Sequence, residues 1–186
     1  MGLFQEIEVF NPSNEQEERD KAIMLNYIKK NEDYLLRENL IGHFTTSIWT
    51  VNKDHTKVLM VYHNIYDSWA WVGGHADGIE NLKEVALREL QEETGVKHAR
   101  LLTDDILSLE VLTVAGHEKK GQYVPCHLHL NVTYLAEADE SDALVMNEDE
   151  NKGVAWFTFE EALKASKETW FVERIYPKLI EKVRGM

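Results

Sequence analysis

The segment from Trp69 to Val96 constrains the fold of this chain more than any other. An apolar run, Trp69-Ala70-Trp71-Val72, reads as a short strand stopped by Gly73-Gly74, and residues 80–94 then switch to helical period. Leu82, Val85, Ala86 and Leu90 form one apolar face, and Gly95 stands where a left-handed C-terminal cap belongs. On such a helix Glu89, Glu92 and Glu93 occupy positions i, i+3 and i+4, so their carboxylates project together from about the opposite side. Like charges so placed repel, and helix propensity alone does not explain them. Solvent or a bound cation does. Oxygen-rich ligation suits Mg²⁺, with Mn²⁺ able to substitute, whereas Zn²⁺ prefers His and Cys.

Residues 1–12 read as irregular. A helix is expected from Ser13 or Asn14, each a cap with Gln16 or Glu17 three residues on, to about Lys30. His43–Val51 and Lys57–His63 read as strands joined by a turn at Asp54-His55. Strand character returns over Ile106–Val114 and Val124–Leu135, and Gly153–Phe157 is a last strand. Residues 137–152 form an acidic loop. Thr158 can cap a short helix with Glu161 at its third position, and 168–184 form a closing amphipathic helix. The order helix, strands, helix, strands, helices predicts an α/β (α+β) fold, a mixed sheet with helices on both sides. The length of 186 residues suits a single domain, with residues 1–40 as a helical extension packed on a domain of residues 41–186.

The net charge of −13 argues against nucleic-acid polymers and anionic membranes as partners. It also sets a condition: a phosphate-bearing substrate needs a cation to meet it. Cys126 is the single cysteine, so no internal disulfide forms, and its alternating apolar surroundings suggest a buried thiol. The start of the chain lacks the basic residues of a signal peptide, and no apolar run reaches membrane-spanning length. The expected location is the cytoplasm.

Gly74, Glu80, Arg88, Glu89, Leu90, Glu92, Glu93, Gly95 and Val96 fit every position of G-x5-E-x7-R-E-U-x-E-E-x-G-U, with U aliphatic. With background frequencies of roughly 5–10% per fixed letter, chance produces this about once in ten million windows. The segment resembles the Nudix box. Gly42–Ser47, Tyr62-His63, the run Trp71–Gly78, His127–Leu130 and the stretch from Glu150 to Phe157 are similar to a bacterial Nudix subgroup with a helical N-terminal extension. Val72 departs from the proline that many of these proteins carry before the glycine pair.

The resemblance implies an α/β/α sandwich and hydrolysis of a nucleoside diphosphate linked to another group. It implies that Glu89, Glu92 and Glu93 hold the metal, with the Gly73 carbonyl as a further ligand. Gly74, Glu80, Arg88 and Gly95 would shape the loop–helix–loop. Glu93 is the first choice for general base, and Glu150 on the acidic loop is an alternative base or ligand. His75, His127 and His129 are candidate substrate contacts; the last two alternate on one strand and could also reach a metal or serve structurally. Trp69, Trp71 and Tyr123 could stack a base, but core packing suits them better. An isopentenyl-diphosphate-type isomerase is disfavoured because its only candidate cysteine, Cys126, is far in sequence from the box. A nucleotide-sugar sensor is disfavoured because all box glutamates are present. The substrate itself stays open, and dimerisation, common in that family, is an expectation only.

Overall fold

A computed structural model describes residues 2–119, 121–149 and 151–186. Two helices come first, α1 (Leu3–Val9) and α2 (Glu15–Lys30). Asn14 caps α2 by accepting from Glu17 N–H, as its position suggested. The segment read as irregular is helical because of tertiary support. Leu3 and Ile7, one turn apart, are buried, and the unpaired Leu3 N–H of the first turn donates to Glu80 Oε1 at 3.2 Å.

The main sheet contains β1 (Gly42–Asn52), β2 (Lys57–His63), β3 (Ser68–Ala70), β4 (Val72–His75), β5 (Arg100–Leu101), β6 (Ser108–Val114), β9 (His127–Ala138) and β10 (Asn151–Thr158). Its central path runs β10-β2-β1-β9-β5, with β1 parallel to β9 and the other pairs antiparallel. β7 (His117–Lys119) and β8 (Gln122–Val124) form a separate hairpin. The strand expected at Val124–Leu135 is therefore two, because the chain leaves the β7–β8 hairpin before joining the sheet at His127.

The Trp69–Val72 strand is also corrected. β1 and β2 pair at Val51 and Val58, and further along β3 pairs with β2 while β4 pairs with β1. The chain changes partner strand at Trp71. Gly73 and Gly74 do not stop the strand; they lie inside β4, opposite Ser47 and Thr46.

Helix α3 (Leu82–Thr94) ends at Gly95 with φ 73°, the expected left-handed cap. α4 (Phe159–Ala165) begins at the Thr158–Glu161 capping box. The closing helix opens with a π-helical turn (Phe171–Ile175) before α5 (Tyr176–Arg184).

Strand alternation divides the core between the two faces of the sheet. Phe44 and Ile48 join Leu3, Ile7, Met24, Leu82, Ala86 and Leu90 on one face. Trp49 and Val51 join Phe159, Ala162, Tyr176 and Leu179 on the other. This is the expected α/β/α sandwich. The second face changes character near the start of β1 and β9, where His43, Thr45, Ser47, His127, His129, Asn131 and Thr133 replace apolar residues. A pocket forms there. Among the described residues no helix is long and apolar enough to cross a membrane.

Candidate active site

The pocket, about 400 Å³, lies between β1, β4, the start of β9 and the glutamate face of α3. Glu89, Glu92 and Glu93 all line it. They are not equivalent. Glu92 is mostly exposed, its side chain 58% accessible, whereas Glu93 is buried at 3%. Glu93 Oε2 accepts from Asn151 Nδ2 at 2.9 Å, and its Oε1 accepts from Gly73 N–H at 3.4 Å. Arg88 bonds Glu89 at 3.1 Å and reaches Glu92 at 3.9 Å.

The glycine pair has a steric reason to be glycine. A Cβ on Gly74 would come within 2.7 Å of Glu89 Cγ and Oε1, and one on Gly73 within 2.7 Å of Ser47 Oγ. Removing both methyls lets β4 lie against β1 on one side and the Glu89 carboxyl on the other. Glu80, one helix-start away, accepts from Leu3 N–H and so ties the box loop to α1.

A buried polar chain supports the floor of the pocket. Asn131 Oδ1 accepts from Thr45 Oγ1 at 3.1 Å and Ser47 Oγ at 2.9 Å. Its Nδ2 donates to Glu110 Oε2 at 3.1 Å, and Lys178 Nζ meets Glu110 Oε1 at 3.0 Å. Glu17, fully buried, continues the chain to Lys178 at 3.2 Å and to Lys182. Burial alone would push the Glu17 carboxyl up, but Lys178, Lys182 and Ser13 together hold it down at about 2.

Four histidines stand at one end of the sheet. Parallel pairing sets His43 beside His129, and β4 brings His75 beside Thr45. One ring nitrogen from each of His43, His75 and His129 lies within 4.8 Å of the others. His127 stacks on His43 with centroids 5.0 Å apart, and its Nε2 is 3.1 Å from His129 Nε2. Burial, followed by the proximity of His75, His43 and His127, holds His129 far below the ordinary imidazole range. Burial likewise lowers His43.

Sequence reasoning left several pocket residues out. Arg37 lines the pocket and makes a two-pronged pair with Asp77 at 2.5 Å. Asn151 orients Glu93, and Glu168, whose carboxyl is pushed up by burial, lines the pocket with Phe171 and Tyr66. Only period-two polar residues in otherwise apolar strands hinted at the floor; Arg37 and Glu168 carried no local signal. Glu150 lies outside the described residues. Trp71 is buried, with Phe171 edge-on to it, whereas Tyr123 is 72% exposed on the β7–β8 hairpin rather than in the core. Cys126 is exposed too, because it falls in the connection between β8 and β9; its sulfur accepts from Gly116 N–H at 3.1 Å.

The sequence model of the NUDIX domain matches residues 43–179, most of the chain. The chain belongs to the Nudix hydrolase family. This Nudix protein is 31% identical over 99 residues to the rat (Rattus norvegicus) bis(5'-nucleosyl)-tetraphosphatase [asymmetrical], a match covering 53% of this chain and 61% of that protein. The chain thus spans about three-fifths of that relative's length. Solved Nudix-fold structures agree in architecture. A C. elegans Ap4A hydrolase binary complex superposes with TM-score 0.55 at 19% identity, covering 76% of this chain and 95% of that one. A NUDIX-family hydrolase from Clostridium perfringens gives TM-score 0.52 at 24% identity, covering 76% and 96%.

Proposed function

We propose that this protein is a divalent-metal-dependent hydrolase that cleaves a phosphoanhydride bond in a small nucleotide-type substrate. One observation carries the reading: Glu89, Glu92 and Glu93 converge on one pocket that Gly73 and Gly74 also line, with Gly74 packed directly against Glu89. The donor set suits Mg²⁺, or Mn²⁺, with the Gly73 carbonyl as a further ligand. A divalent ion held there supplies charge neutralisation for a polyphosphate and acidifies a bound water. The protein's own contribution is positional. Asn151 and the Gly73 N–H fix Glu93, which we assign as the proton acceptor for the attacking water. Glu92 and Glu89, held by Arg88, complete the carboxylate set. Arg37, paired with Asp77, is a cation of the pocket wall available to a substrate phosphate, and Tyr66 and Phe171 offer aromatic surface to a base. The similarity to a bis(5'-nucleosyl)-tetraphosphatase favours a nucleoside polyphosphate among the candidates.

The test is a panel of nucleoside polyphosphates, dinucleoside polyphosphates and nucleotide sugars with Mg²⁺, run on wild type, Glu92→Gln and Glu93→Gln. Glu93→Gln is expected to lose about a hundredfold or more in turnover. Because a Gln there keeps an acceptor for only one of the Asn151 amide and the Gly73 N–H and turns its NH2 on the other, a stability loss of about 1 kcal/mol accompanies it. Glu92→Gln is expected to lose activity with unchanged unfolding. Full activity in Glu93→Gln, or activity independent of divalent ions, would reject the assignment.

A further inference from the structure

We propose that His43, His75 and His129 form a second metal centre, a three-imidazole site for a borderline divalent ion of the Zn²⁺ class, separate from the carboxylate site in the same pocket. It stands independently of the hydrolase reading.

The argument starts with the His43 ring. Its Nδ1 lies 3.1 Å from the Asn39 carbonyl, which can only accept, so Nδ1 carries the hydrogen and Nε2 the lone pair. Among the described residues that Nε2 is buried without a hydrogen-bond partner, on a side chain only 4% exposed. A buried acceptor left unmet costs free energy unless something electrophilic meets it. Imidazoles that bind metals are oriented in this way, with one ring N–H donated to a backbone carbonyl and the other nitrogen aimed at the ion.

The surroundings supply the remaining ligands. The ring nitrogens of His75 and His129 complete a trio within 4.8 Å. Nitrogens bound to one Zn²⁺ at 2.0–2.1 Å stand about 3.4 Å apart, so small ring rotations close the site. His127 repeats the His43 pattern, its Nδ1 2.8 Å from the Pro125 carbonyl; its Nε2 then accepts from His129 Nε2–H at 3.1 Å, which leaves Nδ1 as the nitrogen that His129 offers an ion.

The chemistry discriminates between occupants. An anion needs donors, but His43 presents a lone pair. Mg²⁺ prefers oxygen, which the glutamates offer, whereas neutral imidazole selects Zn²⁺, Co²⁺ or Ni²⁺. Three protein ligands leave a fourth position, and the pocket, which His75 and His129 line, is on the open side.

The experiment uses chelator-stripped full-length protein titrated with Co²⁺ and then Zn²⁺, with Mg²⁺ in excess to occupy carboxylates. One equivalent of Co²⁺ is expected to give the intense visible bands of a four- or five-coordinate imidazole site, and Zn²⁺ to bleach them. His75→Asn and His129→Asn are expected to weaken binding at least tenfold. His43→Asn should do the same, but burial makes it the variant most prone to misfold, so His75→Asn, at a partly exposed position, decides. His117→Asn, on the β7–β8 hairpin, is expected to bind like wild type. Absence of Co²⁺ uptake, a six-coordinate spectrum, or undiminished binding by His75→Asn would overturn the proposal. Mg²⁺-dependent turnover, assayed separately, tells this failure from failure of the hydrolase reading.

Discussion

A Cβ added at Gly74 would overlap the Glu89 carboxyl. Gly74→Ala therefore displaces a pocket glutamate while leaving the surrounding core intact. Since misplacement of a catalytic group by about 1 Å can cost a hundredfold, kcat is expected to fall by about that factor while the thermal midpoint moves little. Steady-state kinetics beside a thermal melt checks the split; a large fall in the midpoint with normal kcat would contradict it. Gly95 is glycine for another reason. Its φ of 73° is left-handed, its N–H caps α3 through Gln91 O at 2.9 Å, and a Cβ would meet Val145 at 2.6 Å. Gly95→Ala is expected to cost about 1–2 kcal/mol of stability, measured by urea unfolding.

At the level of elements, a buried ionic network fastens α2 and α5 to β6. Lys178 lies between Glu17 and Glu110, all three nearly inaccessible. Lys178→Met keeps most of the side-chain volume but leaves Glu110 and part of Glu17 without their cation. Breaking a buried pair by removing one partner costs about 3–5 kcal/mol, so denaturant midpoints should fall accordingly; an unchanged midpoint would show that the network is dispensable. This network was invisible in the sequence, because its members are separated by up to 165 residues and belong to no motif. The α3 helix was legible because its apolar period, acid set and terminal glycine all agree. α1 was not, since its Leu3 N–H is satisfied by Glu80, distant in sequence. The β3–β4 switch was missed for a similar reason: Trp69 to Val72 reads as one strand locally, and only pairing with β2 and then β1 divides it. That the three glutamates share one helix face was legible from spacing, whereas Asn151, which bonds Glu93, and Glu168, which lines the same pocket, join them only through the fold. We regard residues 1–40 as an extension docked on the remaining domain through Leu3, Ile7 and Met24.

Across the whole molecule, the acid response below pH 4.5 draws on Glu17, a fully buried carboxylate held between two lysines. Glu17 has a folded pKa of about 2 against an ordinary 4.5. As pH falls below 4.5 the unfolded chain takes up a proton that the folded chain refuses, so stability present above 4.5 is lost progressively towards 2. The full contribution is about 3 kcal/mol. Asp77, held down by its hydrogen bond to Arg37, titrates with the same sign, whereas Asp20, raised by burial, opposes it. Burial pulls Lys182 below the ordinary lysine range, an effect confined to alkaline solution, whereas the buried His129 and His43 imidazoles, held below their ordinary range, add an acid loss of the same sign that begins below about pH 6.5. Urea unfolding at a series of pH values should thus show stability falling steeply below pH 4.5. Glu17→Gln separates this from general acid effects. It leaves Lys178 and Lys182 short of a counter-charge, so it is less stable at neutral pH, and its curve between pH 4.5 and 2 should be flatter than wild type. Parallel curves for the two proteins would show that the acid sensitivity of this strongly anionic chain resides elsewhere.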